Sequence, residues 1–191
     1  MRATKEEAAK TRARIVKTAG RIFRDKGFAG AGVEEVMAAA GLTRGGFYRH
    51  FPSKDALAAE ACAAVIRRTG EEWRKAAGEA GPAAYGALLA RYLTTAHRDQ
   101  PELGCIFAAL GADAGRRADP VLTQVFADGL DSLTAVLADV IPDADAKRAK
   151  ALTVLAALVG ALVLARASAG QPISDEVLQA VAAGLEIRKG E

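Results

Sequence analysis

The sequence predicts an all-α fold, and three observations lead to that prediction. Alanine, the residue with the highest helix propensity, is abundant. Apolar residues recur at the three- and four-residue spacing of an amphipathic helix, and no stretch alternates between apolar and polar residues as a half-buried strand does. A chain of 191 residues is long enough for a small head on a larger body, and we expect about nine helices.

The elements of the first third are predicted from their caps and from the glycines that end them. A capping box beginning at Thr4 starts the first helix, and Gly27 ends it. Gly41 suits a sharp turn after the second helix. Thr43 caps the third helix and Ser53 caps the fourth. These four helices are expected at residues 5–26, 33–40, 43–50 and 53–77.

Proline and capping residues divide the remainder of the chain. Pro82 suits the first turn of the fifth helix. Asp119 and Pro120 form a cap followed by a proline at the start of the seventh. Asp143 opens the eighth helix, and Ser174 caps the ninth. The five helices are expected at residues 83–97, 105–117, 120–141, 143–169 and 174–188.

Charge is unevenly distributed along the chain. Residues 1–56 hold 12 Lys and Arg against 6 Asp and Glu, a balance of +6, whereas residues 57–191 hold 14 against 17, a balance of −3. A basic head on a mildly acidic body indicates that the head contacts a polyanion. A solvated surface with uneven charge is the alternative.

The cysteines and the apolar segments indicate the cellular compartment. Cys62 and Cys105 are too far apart in sequence for a zinc motif or a disulfide framework. The N-terminus lacks an apolar signal-peptide stretch. The longest apolar run, residues 151–165, is shorter than the roughly 20 residues of a membrane span, and we expect a helix buried on most sides. We therefore expect a cytoplasmic protein with reduced thiols and without metal or cofactor.

Two short predicted helices separated by a glycine turn are typical of a helix-turn-helix. The second helix and its flanks, residues 42–51, contain two glycines, two arginines, a tyrosine and a histidine, which is unusual for a helix that only packs. Glycines permit close approach to the DNA major groove, arginine can bond guanine bidentately, and tyrosine and histidine can bind phosphate. The pattern predicts contact with DNA, and a polar surface helix is the alternative.

A longer motif surrounds this helix. It comprises Phe23, the pair Gly27-Phe28, the run Ala-Gly-Leu-Thr-Arg-Gly-Gly-Phe-Tyr-Arg-His-Phe at residues 40–51, and Ser-Lys-Asp-Ala-Leu at residues 53–57. These residues resemble the DNA-binding domain of the TetR family of transcriptional repressors. The resemblance implies a homodimer whose N-terminal three-helix domain (residues 1–52) binds palindromic operator DNA. It also implies a C-terminal helical bundle (residues 53–191) that binds a small-molecule inducer and dimerises.

The resemblance implies roles for individual residues. Those that face or hold DNA are Thr43, Arg44, Gly45, Gly46, Tyr48, Arg49, His50 and Lys54. The Arg-Gly-Gly run faces the bases and the others hold phosphates, while Phe47 and Phe51 belong to the core. The sequence departs from the family pattern at Gly32, where Thr or Ser is usual, and at Met37, where Ala is usual. Glu34 stands where a basic residue would help DNA binding.

In the TetR family the last two long helices form the dimer interface, which here corresponds to residues 143–169 and 174–188. Their apolar side chains exceed what one small core needs. The residues concerned are Leu152, Leu155, Val159, Leu162, Val163, Val177, Val181 and Leu185. The alternative is that all of them belong to the core of one chain.

A ligand pocket in the body is expected to have apolar walls and a polar group. The candidates are Trp73, Tyr85, Tyr92, His97, Cys105, Phe107, Phe126 and Arg166, and for each aromatic residue plain core is the alternative. Cys105 stands at the start of a predicted helix, where the helix dipole favours a reactive thiolate. A Gly-Cys pair here is similar to a branch of TetR-like regulators that includes electrophile and oxidant sensors. Thiol-based sensing through Cys105 is therefore a second hypothesis, and a buried small residue is its alternative.

Other classes of function have less support. His50 and His97 are the only histidines, and the sequence contains no carboxylate pair, glycine-rich phosphate loop or metal-ligand spacing, so we do not expect an enzyme. A sequence-nonspecific DNA-packing protein is a further alternative, which a footprint on palindromic DNA would exclude.

Overall fold

The computed structural model describes residues 5–142 and 145–185, and within these ranges the regular structure is entirely helical. The nine α-helices are α1 (Lys5–Gly30), α2 (Val33–Ala39), α3 (Lys54–Ala80), α4 (Ala84–Tyr92), α5 (Thr95–Asp99), α6 (Ile106–Arg117), α7 (Pro120–Val140), α8 (Lys147–Ala167) and α9 (Pro172–Leu185). A 3₁₀ helix, Arg44–Arg49, lies between α2 and α3, and a 3₁₀ turn, Gly81–Ala83, joins α3 to α4. The all-α prediction is confirmed.

Helix α3 is the central element of the bundle. It packs against α1 on the N-terminal side and against α7 and α4 in the body, while α8 packs on α7 and α9 packs on α8. One continuous apolar core extends from Ile15 in α1 to Leu162 in α8. The N-terminal segment is therefore joined to the body by shared core packing.

Several start and stop signals act as the sequence predicts. Gly27, with φ 72° and ψ 171°, interrupts the helical geometry within Lys5–Gly30 and leaves a kink there, and Gly41 has a φ of 71°. At Gly27 a side chain would also come within 2.7 Å of an Asp113 carboxylate oxygen, so glycine is required there. The Ser53 hydroxyl accepts a hydrogen bond from Ala56 N at 3.0 Å. The predicted signals at Thr4 and Asp143, and the predicted end of the ninth helix at residue 188, lie outside the described residues.

The expected α-helix at residues 43–50 is instead the 3₁₀ helix Arg44–Arg49. Its first closing bond joins Gly46 N to Thr43 O at 3.1 Å, three residues apart. Two adjacent glycines have low helix propensity and do not sustain a regular α-helix over so short a run. The Thr43 side chain accepts no capping bond from the described part of the chain, contrary to the prediction.

The single helix expected at residues 83–97 is divided in two. Leu93 leaves helical geometry, and Thr94 is extended with φ −125° and ψ 152°. The Thr94 hydroxyl accepts a hydrogen bond from His97 N at 3.1 Å. Threonine favours such a cap over a helix interior, and so α5 begins as a separate short helix.

Ser174 does not cap α9, because that helix begins earlier, at Pro172. Its hydroxyl is buried, donates to Ala165 O at 2.7 Å and accepts from Arg98 Nη1 at 2.9 Å. Ser174 therefore joins α9 to α8 and to α5.

Helix α8 contains the long apolar run, but it is not buried on most sides. One face is in the core through residues such as Leu155 and Leu158, whereas Leu152 and Val163 on another face are more than 40% exposed. By length and composition alone α7 and α8 could each cross a membrane. Core helices of soluble proteins pass the same test, and both helices contribute to the core of this bundle.

Candidate functional site

The 3₁₀ helix presents a polar face to solvent and an apolar face to the core. Tyr48 is 76% exposed, whereas its neighbour Phe47 is fully buried and stacks on Phe51 with ring centroids 5.8 Å apart. The other predicted DNA contacts surround Tyr48: Thr43, Arg44, Gly45 and Arg49 are exposed, and Gly46, His50 and Lys54 are half-buried. The sequence-predicted residues are therefore gathered on one solvent-facing surface.

The buried side of this segment fixes the position of the surface. Met37, the departure from the family pattern, is fully buried beneath Gly46, whose Cβ position would lie 3.6 Å from Met37 Cε. Leu42 N also donates to Met37 O at 2.9 Å, which closes the turn around Gly41. Methionine is flexible enough to fill this gap without changing the fold.

Arg12 of α1 is a positioning residue that the sequence analysis missed. Its Nε donates to Glu60 at 3.1 Å, its Nη1 donates to the His50 carbonyl, and its guanidinium lies 4.2 Å from the centre of the Phe51 ring. The residue thereby ties the end of the 3₁₀ helix to α1 and α3. The partners are 38 to 48 residues away in sequence, so no local motif identifies them.

The acidic residues of α2 pair with basic residues beside the polar surface. Glu34 lies 3.6 Å from Arg44 Nη1, and both side chains are about three-quarters exposed. Glu35 accepts a hydrogen bond from Lys26 and raises the pKa of that amine. Gly32, at the N-cap of α2, supplies no side-chain oxygen to the helix start. In the free protein, the arginine predicted to contact bases thus lies beside a carboxylate.

A cavity of about 260 Å³ lies in the body, bounded by α3, α4, α5 and the loop before α6. It brings together four of the predicted ligand residues: Trp73, Tyr92, His97 and Cys105. Its wall also contains Arg68, Glu72 and Arg91, which the sequence analysis did not select. The cavity is consequently more polar than the expected apolar pocket.

The remaining ligand candidates do not line this cavity. Phe107 and Phe126 pack edge to face at 5.4 Å in the core, and the Tyr85 hydroxyl donates to Leu185 O at 2.9 Å. Arg166 donates from Nε to Arg98 O at 3.1 Å and from Nη2 to His97 O at 2.9 Å. Arg166 therefore binds carbonyl groups of α5, which explains its partial burial.

His97 is held by hydrogen bonds at both ring nitrogens. Nδ1 lies 2.7 Å from Tyr92 O, and Nε2 accepts from Cys105 N at 2.8 Å. Because a carbonyl can only accept and a backbone N–H can only donate, the ring is neutral with its proton on Nδ1. Burial lowers the pKa of His97, and the nearby guanidinium of Arg166 adds to that lowering.

Arg24 joins the N-terminal segment to the cavity wall. This buried residue of α1 donates to Gly20 O at 2.9 Å and to Gly104 O at 2.6 Å. Gly104 lines the cavity, and the next residue, Cys105, bonds His97. Burial and the neighbouring Arg68 lower the pKa of Arg24 to about 10, so the guanidinium remains charged at neutral pH.

The two cysteines are free thiols in different environments. Cys62 is buried in α3, and burial raises its pKa to about 12, which makes the thiol unreactive. Cys105 is also buried but lines the cavity and forms the N-cap of α6. Only Cys105 therefore faces a space that a small molecule could enter.

The predicted dimer helices divide their apolar residues between the core and the surface. Leu155 and Leu162 belong to the core of one chain, which corrects their assignment to an interface. Val159, Val177, Val181 and Leu185 are partly buried against core residues. The large apolar residues of α8 and α9 that are exposed are Leu152, Val163, Leu164 and Ile173, with exposures of 42%, 43%, 59% and 51%.

Comparison with known sequences finds bacterial transcriptional regulators that match the N-terminal part of the chain. A family described as "Bacterial regulatory proteins, tetR family" matches residues 15–61. The chain is 47% identical over 49 residues to the uncharacterized HTH-type transcriptional regulator YerO of Bacillus subtilis, covering 26% of this chain and 17% of YerO. It is 44% identical over 57 residues to the transcriptional regulator TtgR of Pseudomonas putida, covering 30% and 27%. The matches thus span less than a third of either relative.

Solved structures extend the similarity to nearly the whole chain. A TetR transcriptional regulator from Chloroflexus aurantiacus is 25% identical with a TM-score of 0.74, covering 93% of this chain and 95% of that one. A TetR-family regulator from Streptomyces coelicolor is 26% identical with a TM-score of 0.65, covering 96% and 95%. Reduced NemR of Escherichia coli has a TM-score of 0.78 at 20% identity, covering 93% and 95%, and shares the fold.

Proposed function

Because the chain belongs to the TetR family of bacterial regulatory proteins, we propose that it is a cytoplasmic, sequence-specific transcriptional repressor. In this proposal a homodimer binds palindromic operator DNA, and a small-molecule inducer releases it. Residues 1–52 form the DNA-binding domain, and residues 53–191 bind the inducer and dimerise. No enzymatic role is part of this proposal.

The observation that carries the DNA-binding part is the exposed polar surface of the 3₁₀ helix, held in place by buried Phe47 and Phe51. Gly45 and Gly46 have no side chains, so the backbone can approach base edges closely. Arg44 can reach a guanine with two parallel hydrogen bonds. The rest of the surface, made of Thr43, Tyr48, Arg49, His50 and Lys54, holds phosphates and fixes the orientation on the duplex.

The homodimer is proposed to form through α8 and α9. The exposed apolar residues Leu152, Val163, Leu164 and Ile173 lie on these two helices. Self-association through one patch gives a two-fold symmetric dimer, and burying these side chains removes apolar area from water. Such a dimer can hold two recognition segments about 34–36 Å apart, one DNA turn.

Induction is proposed to act through the bond between Arg24 and Gly104. A ligand in the cavity contacts the loop containing Gly104, and Arg24 transmits a shift of that loop to α1. Release of DNA requires that the ligand bind one dimer conformation more tightly than the other. The proposed difference is the spacing of the two recognition segments.

Operator selection tests the main proposal. The purified protein is used to select binding sites from a random duplex library, and the selected duplexes are then titrated by fluorescence anisotropy. We expect enrichment of palindromes. Tyr48→Ala should weaken binding by about tenfold or more through loss of a charge-assisted phosphate bond, with an unchanged melting temperature because Tyr48 is exposed. Absence of any enriched palindrome would contradict the proposal.

A second candidate function, thiol-based sensing of electrophiles or oxidants, is favoured by the position of Cys105 on the cavity wall. Cys105 is the N-cap residue of α6 and borders a cavity that a small electrophile could enter. The test compares release of operator DNA by diamide or methylglyoxal in Cys105→Ser and in Cys62→Ala, the matched control. Release that is unchanged in Cys105→Ser excludes this mechanism.

A further inference from the structure

The charged side chains that line the cavity in the body carry more positive than negative charge. Three of the described residues that line it carry a charge: Arg68, Arg91 and Glu72. The neutral tautomer of His97 uses both ring nitrogens within the protein and offers nothing to a ligand. The net charge of the lining is therefore +1, which favours an anion.

The single carboxylate does not satisfy the two guanidiniums. Glu72 Oε1 lies 3.6 Å from Arg68 Nε, and Glu72 Oε2 lies 3.8 Å from Arg91 Nη2. Both separations exceed hydrogen-bond length. Arg68 Nε is buried and has no hydrogen-bond partner in the described ranges. Leaving a buried charged donor unsatisfied is unfavourable, so a ligand oxygen at this position would supply a missing bond.

Tyr92 is a second unsatisfied donor in the same wall. Its side chain is 4% exposed, and within residues 5–142 and 145–185 its hydroxyl has no partner within hydrogen-bond geometry. The Cys105 thiol and the Arg166 guanidinium are the polar groups that influence it. Burial raises the pKa of Tyr92 well above its usual value, so the hydroxyl keeps its proton and donates it. Buried polar groups without a partner are uncommon in folded proteins.

The remaining walls limit the size and shape of the ligand. Trp73 is 7% exposed, packs edge to face against Tyr92 at 6.1 Å, and offers an aromatic surface to the cavity. A volume of about 260 Å³ is close to the lower end of the range of roughly 300–1,000 Å³ typical of ligand pockets. These dimensions suit one aromatic ring with a short polar substituent.

We propose that this cavity binds a small aromatic carboxylate, with the carboxylate between Arg68, Arg91 and the Tyr92 hydroxyl and the ring against Trp73. A planar guanidinium matches a carboxylate bidentately. One negative charge neutralises the lining, whereas a phosphate dianion would leave it with a net charge of −1. The proposal deepens the proposed function, because it assigns a chemical class to the inducer.

The test is calorimetric titration of the full-length protein, without DNA, with benzoate, with neutral benzamide and with the benzamidinium cation. We expect benzoate to bind at least about tenfold more tightly than benzamide, the ratio that a hydrogen bond between charged groups commonly provides. Arg91→Gln, at a side chain that is 60% exposed, should remove that preference without unfolding the protein. Arg67→Gln, a neighbouring exposed arginine outside this cavity, is the matched control and should leave the titration unchanged.

Failure of the ligand assignment and failure of the proposed DNA-binding function can be told apart. Equal binding of benzoate and benzamide, absence of benzoate binding, or equal losses in Arg91→Gln and Arg67→Gln would each overturn the ligand assignment. Tyr92→Phe provides a second measurement, since it retains the ring and should weaken benzoate more than benzamide. Because the titration contains no DNA, its failure leaves operator binding untouched, while failure of operator selection leaves this titration valid.

Discussion

Gly104→Ala is the substitution that most directly tests the geometry around the cavity. The Cβ of the alanine would lie 2.7 Å from Arg166 Nη2, 2.7 Å from His97 Cδ2 and 2.8 Å from His97 Nε2. Non-bonded heavy atoms are most favourably about 3.5–4.0 Å apart, so each neighbour would have to move by close to 1 Å. The φ angle of Gly104 lies outside the left-handed region, so the effect is steric and not a strain of the backbone.

Neither neighbour can retreat without losing hydrogen bonds. The His97 ring is fixed at both nitrogens and packs on Tyr92 with centroids 4.5 Å apart. The Arg166 guanidinium is fixed by two carbonyl oxygens. Overpacking commonly destabilises by about 1–3 kcal/mol, and one lost hydrogen bond adds about 0.5–1.5 kcal/mol. We therefore expect Gly104→Ala to lower the free energy of unfolding by roughly 2–4 kcal/mol.

Thermal unfolding measures this loss. At roughly 2–4 °C per kcal/mol for a chain of this size, the melting temperature should fall by about 5–15 °C. Gly86→Ala is the control, because Gly86 lies in α4 and, apart from its chain neighbours and the backbone of its own helix, no described atom lies within 4 Å of its Cβ position. That substitution should raise stability by about 0.5–1 kcal/mol through helix propensity. A Gly104→Ala melting temperature within about 1 °C of the parent protein would refute the crowding argument.

Three further predictions concern DNA contact and pH. Arg44→Ala should weaken the free energy of operator binding by about 1–3 kcal/mol and make the protein less selective among operator sequences. Lys54→Ala should weaken binding to all duplexes alike and reduce by about 1 the slope of the logarithm of the binding constant against the logarithm of the salt concentration. Lys75 is an exposed lysine on the same helix as Lys54, and Lys75→Ala is the control in these anisotropy titrations. Glu34→Gln removes the exposed carboxylate that pairs with Arg44 and should strengthen operator binding by no more than about 1 kcal/mol. Weaker operator binding by this variant would contradict the prediction. Burial lowers the pKa of His97 in the folded protein, whereas in the unfolded chain it is about 6.5. Neutral His97 therefore contributes fully to the free energy of unfolding above about pH 6.5, and this contribution is lost as the pH falls through that value towards the folded pKa. The melting temperature should then decline less steeply between about pH 7.5 and 5 in His97→Gln than in the parent protein, and equal slopes would exclude His97 as the cause.

Local signals in the sequence predicted many element boundaries because they act over a few residues. Ser53 caps α3, Asp119 caps α7 with a bond to Leu122 N, and Gly41 takes the left-handed turn. The helix boundaries that were predicted wrongly lie where another local structure competes with a continuous α-helix. Gly45 and its neighbour favoured a 3₁₀ helix, and the Thr94 hydroxyl formed a cap where a continuous helix was expected.

Contacts between distant residues could not be read from the sequence. Arg12 meets Glu60, 48 residues away, and Arg24 meets Gly104, 80 residues away. The spacing of apolar residues in the sequence of α8 likewise predicted an apolar helix. It did not predict that Leu155 lies in the core while Leu152 lies on the surface. That separation depends on how neighbouring helices cover α8, which only packing decides.

The sequence by itself determined the helical class and the polar surface around Tyr48, because propensity, capping and residue type are properties of short segments. Only the tertiary structure decided that Tyr92, His97 and Cys105 share a cavity with two arginines, and that Arg166 holds carbonyl groups beside it. The physical reason is that a cavity forms where several helices fail to fill the space between them. The extent of that space depends on the packing of the entire bundle.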